Sequence, residues 1–94
     1  MLENIKNALR ISGSYHDKEV SDLIESAKAD LLLSGVLKSK LNEDDPLIKR
    51  AITSYCKANF GYDDTNLSDR FQDSYNSLKT HLTLSVEYTK DEEI

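Results

Sequence analysis

The sequence predicts an all-α fold, a small bundle of about four helices ending in a C-terminal extended arm or short strand. Three observations predict it. Apolar residues recur at helical spacing in four separate segments. Residues that start and stop helices stand at the ends of those segments. From Leu82 the apolar period drops to two, as Leu82, Leu84, Val86 and Tyr88 alternate with Thr83, Ser85 and Glu87.

The first helix is expected over roughly residues 2–10, with Leu2, Ile5 and Leu9 on one face. Lys6 and Arg10 lie toward its end, where cations suit the helix dipole. Ser12-Gly13-Ser14 breaks it. A second helix is expected from Asp17 to Ser34, capped by Asp17 or by Ser14 one turn earlier. Val20, Leu23, Ile24, Ala27 and Leu31 form its stripe, and Gly35 supplies the stop. Leu31-Leu32-Leu33 is more apolar than one face needs, so this end is either sealed by Val36 and Leu37 or meets another subunit. Residues 35–45 form a polar connection closing on Asn42-Glu43-Asp44-Asp45. That acidic run lacks the alternating ligand positions and central glycine of a calcium loop.

The clearest segment begins at Asp45-Pro46. Asp45 is a good N-cap, because its carboxylate accepts from otherwise unpaired first-turn amides. Pro46 falls at the first helical position, where a missing N–H costs nothing. Apolar pairs recur at 47/48, 51/52 and 55/56 and close on Phe60, before Gly61. A repeat of four gains roughly 40° each time on a 3.6-residue helix, so the stripe winds and the helix touches several neighbours. This makes it the expected centre of the fold. After a turn at Tyr62-Asp63-Asp64-Thr65, a fourth helix runs from near Asn66 to about His81, with Asn66 and Asp69 resembling a capping box. Phe71, Tyr75, Leu78 and Leu82 share its face.

Composition narrows the function classes. A chain of 94 residues makes a single domain with a modest core. Its 31% charged and 38% hydrophobic residues suit a helical globular protein. No apolar run approaches the roughly 20 residues of a membrane span. Glu3, Asn4, Lys6 and Asn7 interrupt the apolar run a secretory signal requires, so a cytoplasmic site of synthesis is expected. A net charge of −5 argues against general nucleic-acid binding, which draws on clustered Lys and Arg. Lys49, Arg50 and Lys57 read as a solvated helix face, with phosphate or partner contact as the alternative.

Catalytic equipment is hard to find. His16 and His81 stand on separate segments without metal-ligand spacing to a partner, and Cys56 is the single cysteine. Cys56 falls beside Ile52 and Phe60 on the apolar side of its helix and reads as a reduced core residue. Adjacent acids such as Asp63/Asp64 and Asp44/Asp45 sit in turns, whereas catalytic pairs need burial to separate their roles. No enzyme, no cofactor and no metal site is expected. Tyr55 and Tyr75 suit a core edge, and Tyr62 and Tyr88 an interface.

The runs Asp45-Pro-Leu-Ile-Lys-Arg-Ala-Ile52, Lys57-Ala-Asn-Phe-Gly-Tyr-Asp63 and Arg70-Phe-Gln-Asp-Ser-Tyr-Asn-Ser-Leu-Lys79 resemble the small head–tail connector proteins of tailed phages and prophages. Met1-Leu-Glu-Asn-Ile-Lys-Asn-Ala-Leu-Arg10 and Leu82-Thr-Leu-Ser85 fit the same pattern. The resemblance implies a structural virion protein of the head–tail junction, made in the host bacterial cytoplasm. It implies a homo-oligomeric ring of about a dozen copies under the portal protein. Such a ring extends the DNA channel, lets DNA pass without specific binding, and receives the next head-completion or tail protein.

On this expectation residues 1–83 form the helical connector domain, and residues 84–94 form an arm with an acidic tail. Leu84, Val86, Tyr88 and Tyr62 are the candidate subunit or partner contacts, and Glu43 and Asp44 a candidate channel-facing loop. A small helix-turn-helix-like DNA-binding regulator is the alternative. Its helix after the turn would present Asp69, Arg70, Gln72, Asp73 and Asn76, a poor set for approaching phosphates.

Overall fold

In the computed structural model, which describes residues 1–60 and 65–90, the helices run in the order α1 (Leu2–Leu9), α2 (Asp17–Ser34), α3 (Pro46–Asn59), α4 (Thr65–Leu84) and α5 (Val86–Thr89). One turn of 3-10 helix, Lys38–Lys40, lies between α2 and α3. The architecture is a small all-α bundle.

α3 starts as its sequence requires. One Asp45 carboxylate oxygen accepts from the N–H groups of Leu47 and Ile48, and Pro46 takes the first helical position. The winding stripe places Ile48, Ala51, Ile52 and Cys56 in the core, and α3 packs against α1, α2 and α4 together. It is the central helix. Gly61, expected as its stop, lies outside the described residues.

α2 spans the expected segment and ends at Gly35, whose φ of 119° and ψ of −1° form the left-handed cap. Neither Asp17 nor Ser14 caps its start. The cap position belongs to His16, without a side-chain hydrogen bond, and Asp17 is the first helical residue. The Asp17 carboxylate is drawn instead to the buried Lys6 ammonium of α1, 2.8 Å away. A carboxylate there still suits the dipole, and the ion pair fastens α1 to α2. α1 ends one residue early, because Arg10 takes a left-handed φ of 60°.

The chain directions follow from cross-contacts. His16 stacks edge-on to Phe60 at 5.2 Å, while Lys28 bonds Glu43 at 2.6 Å, so α2 and α3 are antiparallel. The Ser68 hydroxyl donates to the Ala58 carbonyl, and Tyr75 meets Tyr55 edge-on at 5.1 Å, so α3 and α4 are antiparallel as well. α2 and α4 therefore point the same way. Asp30 joins them, accepting from the Tyr75 hydroxyl at 2.5 Å and from the Lys79 ammonium at 3.1 Å.

The C-terminal segment differs from expectation. α4 continues to Leu84, and no strand occurs among the described residues. Ser85, between the two helices, is extended, with φ −95° and ψ 126°, and its side chain accepts from Glu87 N–H to start α5. The alternation that reads as a strand has another cause. Leu82 closes the α4 stripe, the bend at Ser85 resets the helical phase, and Tyr88 turns inward from the new phase. Both Leu82 and Tyr88 are buried, whereas Leu84 and Val86 are exposed. A lone strand would leave its backbone groups without ladder partners, and a helix supplies them locally.

A candidate assembly surface at one end of the bundle

The helix directions bring the last turns of α2 and α4, the first turn of α3, and all of α5 to the same end. The Tyr88 hydroxyl donates to the second Asp45 carboxylate oxygen at 2.8 Å, and Leu37 N–H donates to the Tyr88 carbonyl at 2.9 Å. These bonds close α5 onto the connection before α3. The Tyr88 ring is 7% exposed. Burial, reinforced by the Asp45 carboxylate, pushes its hydroxyl up to about 12. Asp45 thus divides its work, one oxygen capping α3 and the other holding Tyr88.

The same end collects the large apolar side chains left in solvent. Leu33 is 87% exposed, Leu84 80% and Val86 66%, with Leu32 at 46% and Leu47 at 44%. Tyr15 is the exception, at the opposite end beside His16. Single exposed apolar residues need no explanation, but a cluster at one end marks a docking surface. The leucine run of α2 divides accordingly, since Leu31 is fully buried while Leu32 and Leu33 face out.

The proposed contact residues therefore fall into different places. Leu84 and Val86 stand in solvent at this end. Tyr88 fills the core of its own chain, a place the period-two reading did not reveal. Tyr62 lies outside the described residues. Leu32, Leu33 and Leu47 are exposed at the same end, the first two signalled by the surplus of leucine at the end of α2.

Glu43 and Asp44 also differ from each other. Glu43 bonds the Lys28 ammonium at 2.6 Å and lies 3.6 Å from the Met1 amino group. Lys28 holds its carboxyl below the usual carboxylate range. Asp44 is exposed, its N–H donating to the Asn42 side chain in a tight turn. Along α3, Lys49 and Arg50 are exposed, while Lys57 is half-buried over the Phe71 ring at 5.0 Å.

Chemistry at these positions is limited. Cys56 is fully buried, and burial pushes its thiol up to about 12, far from a reactive thiolate. His16 and His81 are at opposite ends of the bundle, and no cluster of metal-ligating side chains occurs among the described residues. No helix among the described residues is long and apolar enough to cross a membrane. In comparisons with known proteins, residues 1–89 match the family described as phage connector protein. No curated protein and no solved structure matches the chain.

Proposed function

The chain belongs to the phage connector family and is a structural virion component; from that premise we propose that it forms a homo-oligomeric ring at the head–tail junction. The ring holds about a dozen copies, seats beneath the portal and completes the head after DNA packaging. The observation that carries this reading is the apolar end. Leu32, Leu33, Leu47, Leu84 and Val86 are left in solvent together, on a chain whose family is built to join other virion proteins. Covering that end against a neighbouring subunit or the portal removes apolar surface from water, which drives association without catalytic equipment.

The lumen of such a ring must let DNA slide. A net charge of −5 on each copy supports a wall that repels the DNA backbone. Asp44 is the better candidate for that wall, because the Glu43 charge is offset by Lys28. The free face of the ring receives the next head-completion or tail protein.

The test is stoichiometric. Mixed with the portal assembly from the same genome, the protein should add about a dozen copies per portal by native mass measurement. No complex across a wide concentration range, with the portal intact, overturns the proposal. Leu84→Ser with Val86→Ser should weaken the complex while leaving the helical circular dichroism of the free chain unchanged.

A further inference from the structure

The joint between α4 and α5 is a single residue, and two helical phases compete across it. Along α4 the core stripe runs Phe71, Tyr75, Leu78, Leu82. If Ser85 were helical, the helix would continue and carry Val86 within about 40° of Leu82 on that stripe, with Tyr88 about 120° away. In the bent form Tyr88 is inside and Val86 outside. Neither glycine nor proline occurs between Leu82 and Lys90 to enforce the bend. The Ser85 cap on Glu87 N–H, the Tyr88–Asp45 bond and the Leu37–Tyr88 bond hold it.

We propose that α5 is exchanged between copies: Ser85 straightens, and Tyr88 of one copy occupies the slot between Leu37 and Asp45 of the next. This rests on the ring reading above and names the contact that closes it. The occupant fits, because the slot already holds this segment within the chain, and exchange reproduces the same bonds between copies. Straightening extends α4 by residues 85–90, or about 9 Å, which carries Tyr88 beyond its own slot. The contact is heterologous, slot to arm, and such contacts build rings when the rotation closes. Val86, exposed in the bent form, returns to the line of the α4 stripe.

The chemistry of the chain permits a direct test. Leu37→Cys with Thr89→Cys places thiols beside the Leu37–Tyr88 bond, and buried Cys56 is a silent background. A short bismaleimide should close free monomers internally. In the assembly on the portal it should join different copies, giving covalent ladders on a denaturing gel. Internally closed single chains within an intact ring overturn exchange and leave the ring standing. If no multi-copy species forms at all, the ring reading falls and exchange falls with it.

A second substitution tests the hinge. Val86→Pro suits the bent form, since extended Ser85 is the conformation that precedes proline and Val86 is the first residue of α5. Among the described residues the Val86 N–H has no hydrogen-bond acceptor to lose. A straight helix would carry the proline in its interior, so ladders should fall on the order of a hundredfold. Val86→Ala removes the same side chain without fixing the backbone, so it measures loss of the Val86 contact alone, and its ladders should stay well above those of the proline variant. Ladders of wild-type intensity from the proline variant overturn the hinge.

Discussion

Replacing Asp45 by alanine should cost far more than an ordinary helix cap, because both carboxylate oxygens are used. One accepts from Leu47 N–H at 2.9 Å and Ile48 N–H at 3.3 Å. Losing that cap costs about 1 kcal/mol. The other accepts from the Tyr88 hydroxyl, whose ring is 7% exposed. Leaving a buried hydroxyl unpaired adds about 1–3 kcal/mol. The sum, about 2–4 kcal/mol, is a large share of the roughly 5–15 kcal/mol that holds a domain together. At about 4–8 °C per kcal/mol for a domain of this size, the Tm should fall by about 8–32 °C.

Urea unfolding of Asp45→Ala, Tyr88→Phe and the double variant separates the two contributions. Tyr88→Phe keeps the ring buried and should cost about 1 kcal/mol. In that background Asp45→Ala loses only its cap, so the cycle should show a coupling of about 1–3 kcal/mol. Asp45→Asn keeps an oxygen for the cap but sets an amide donor against the Tyr88 hydroxyl, which must then accept, so it should cost less than Asp45→Ala while losing the original bond. Equal costs for Asp45→Ala with and without the Tyr88 hydroxyl would show that α5 is not fastened to α3, and the latch would be refuted.

Asp30 should make the fold acid-sensitive. Burial works to raise its carboxyl, but the hydrogen bonds from Tyr75 and Lys79 outweigh it and hold the group below its ordinary value of 3.8. A depressed folded-state pKa gives stability that is complete above the unfolded value and is lost as pH falls through the folded one. Asp30→Asn should therefore flatten the stability–pH curve below about pH 4, measured by urea titration at successive pH values. Cys56 should resist iodoacetamide at pH 8 in the native chain and react at a rate set by unfolding; rapid native labelling would contradict its burial. Gly35→Ala should cost more than about 1 kcal/mol in urea unfolding, since its φ of 119° strains any side chain although nothing crowds the added carbon.

Where the signal was local, it was legible. Asp45-Pro46 and Gly35 mark helix ends by their own chemistry, and the winding stripe of α3 identifies a helix with several neighbours. Pairings that join distant residues left no local trace. Asp17 reads as a cap from its neighbours, yet its partner is Lys6, on another helix. Glu43 and Asp44 are adjacent acids, and only the fold brings Lys28 to one and leaves the other in solvent. The apolar end is illegible for the same reason. Leu33, Leu47 and Leu84 are separated along the chain and come to the same end only because α2 and α4 run parallel while α3 runs opposite.

The segment after Leu82 failed for a different reason, and the reason bears on function. On the exchange proposal its residues serve two helical phases. The bent phase gains Tyr88 burial and two hydrogen bonds but gives up helix continuity at Ser85 and exposes Val86. The straight phase gains continuity and seats Val86 on the stripe but releases Tyr88. A sequence balanced between alternatives carries no strong period of either kind, and alternation at period two is what remains visible. On the exchange proposal, such a segment makes the same bonds within its own chain or with the next copy. That suits a chain that must stay folded alone and yet offer a contact to its neighbour. A stronger local preference at Ser85, by proline or by an uninterrupted helix former, would trap one form and remove the choice. Conflict between local pattern and observed structure is therefore concentrated where assembly is proposed to act, as expected when one segment serves two partners, its own chain and the next.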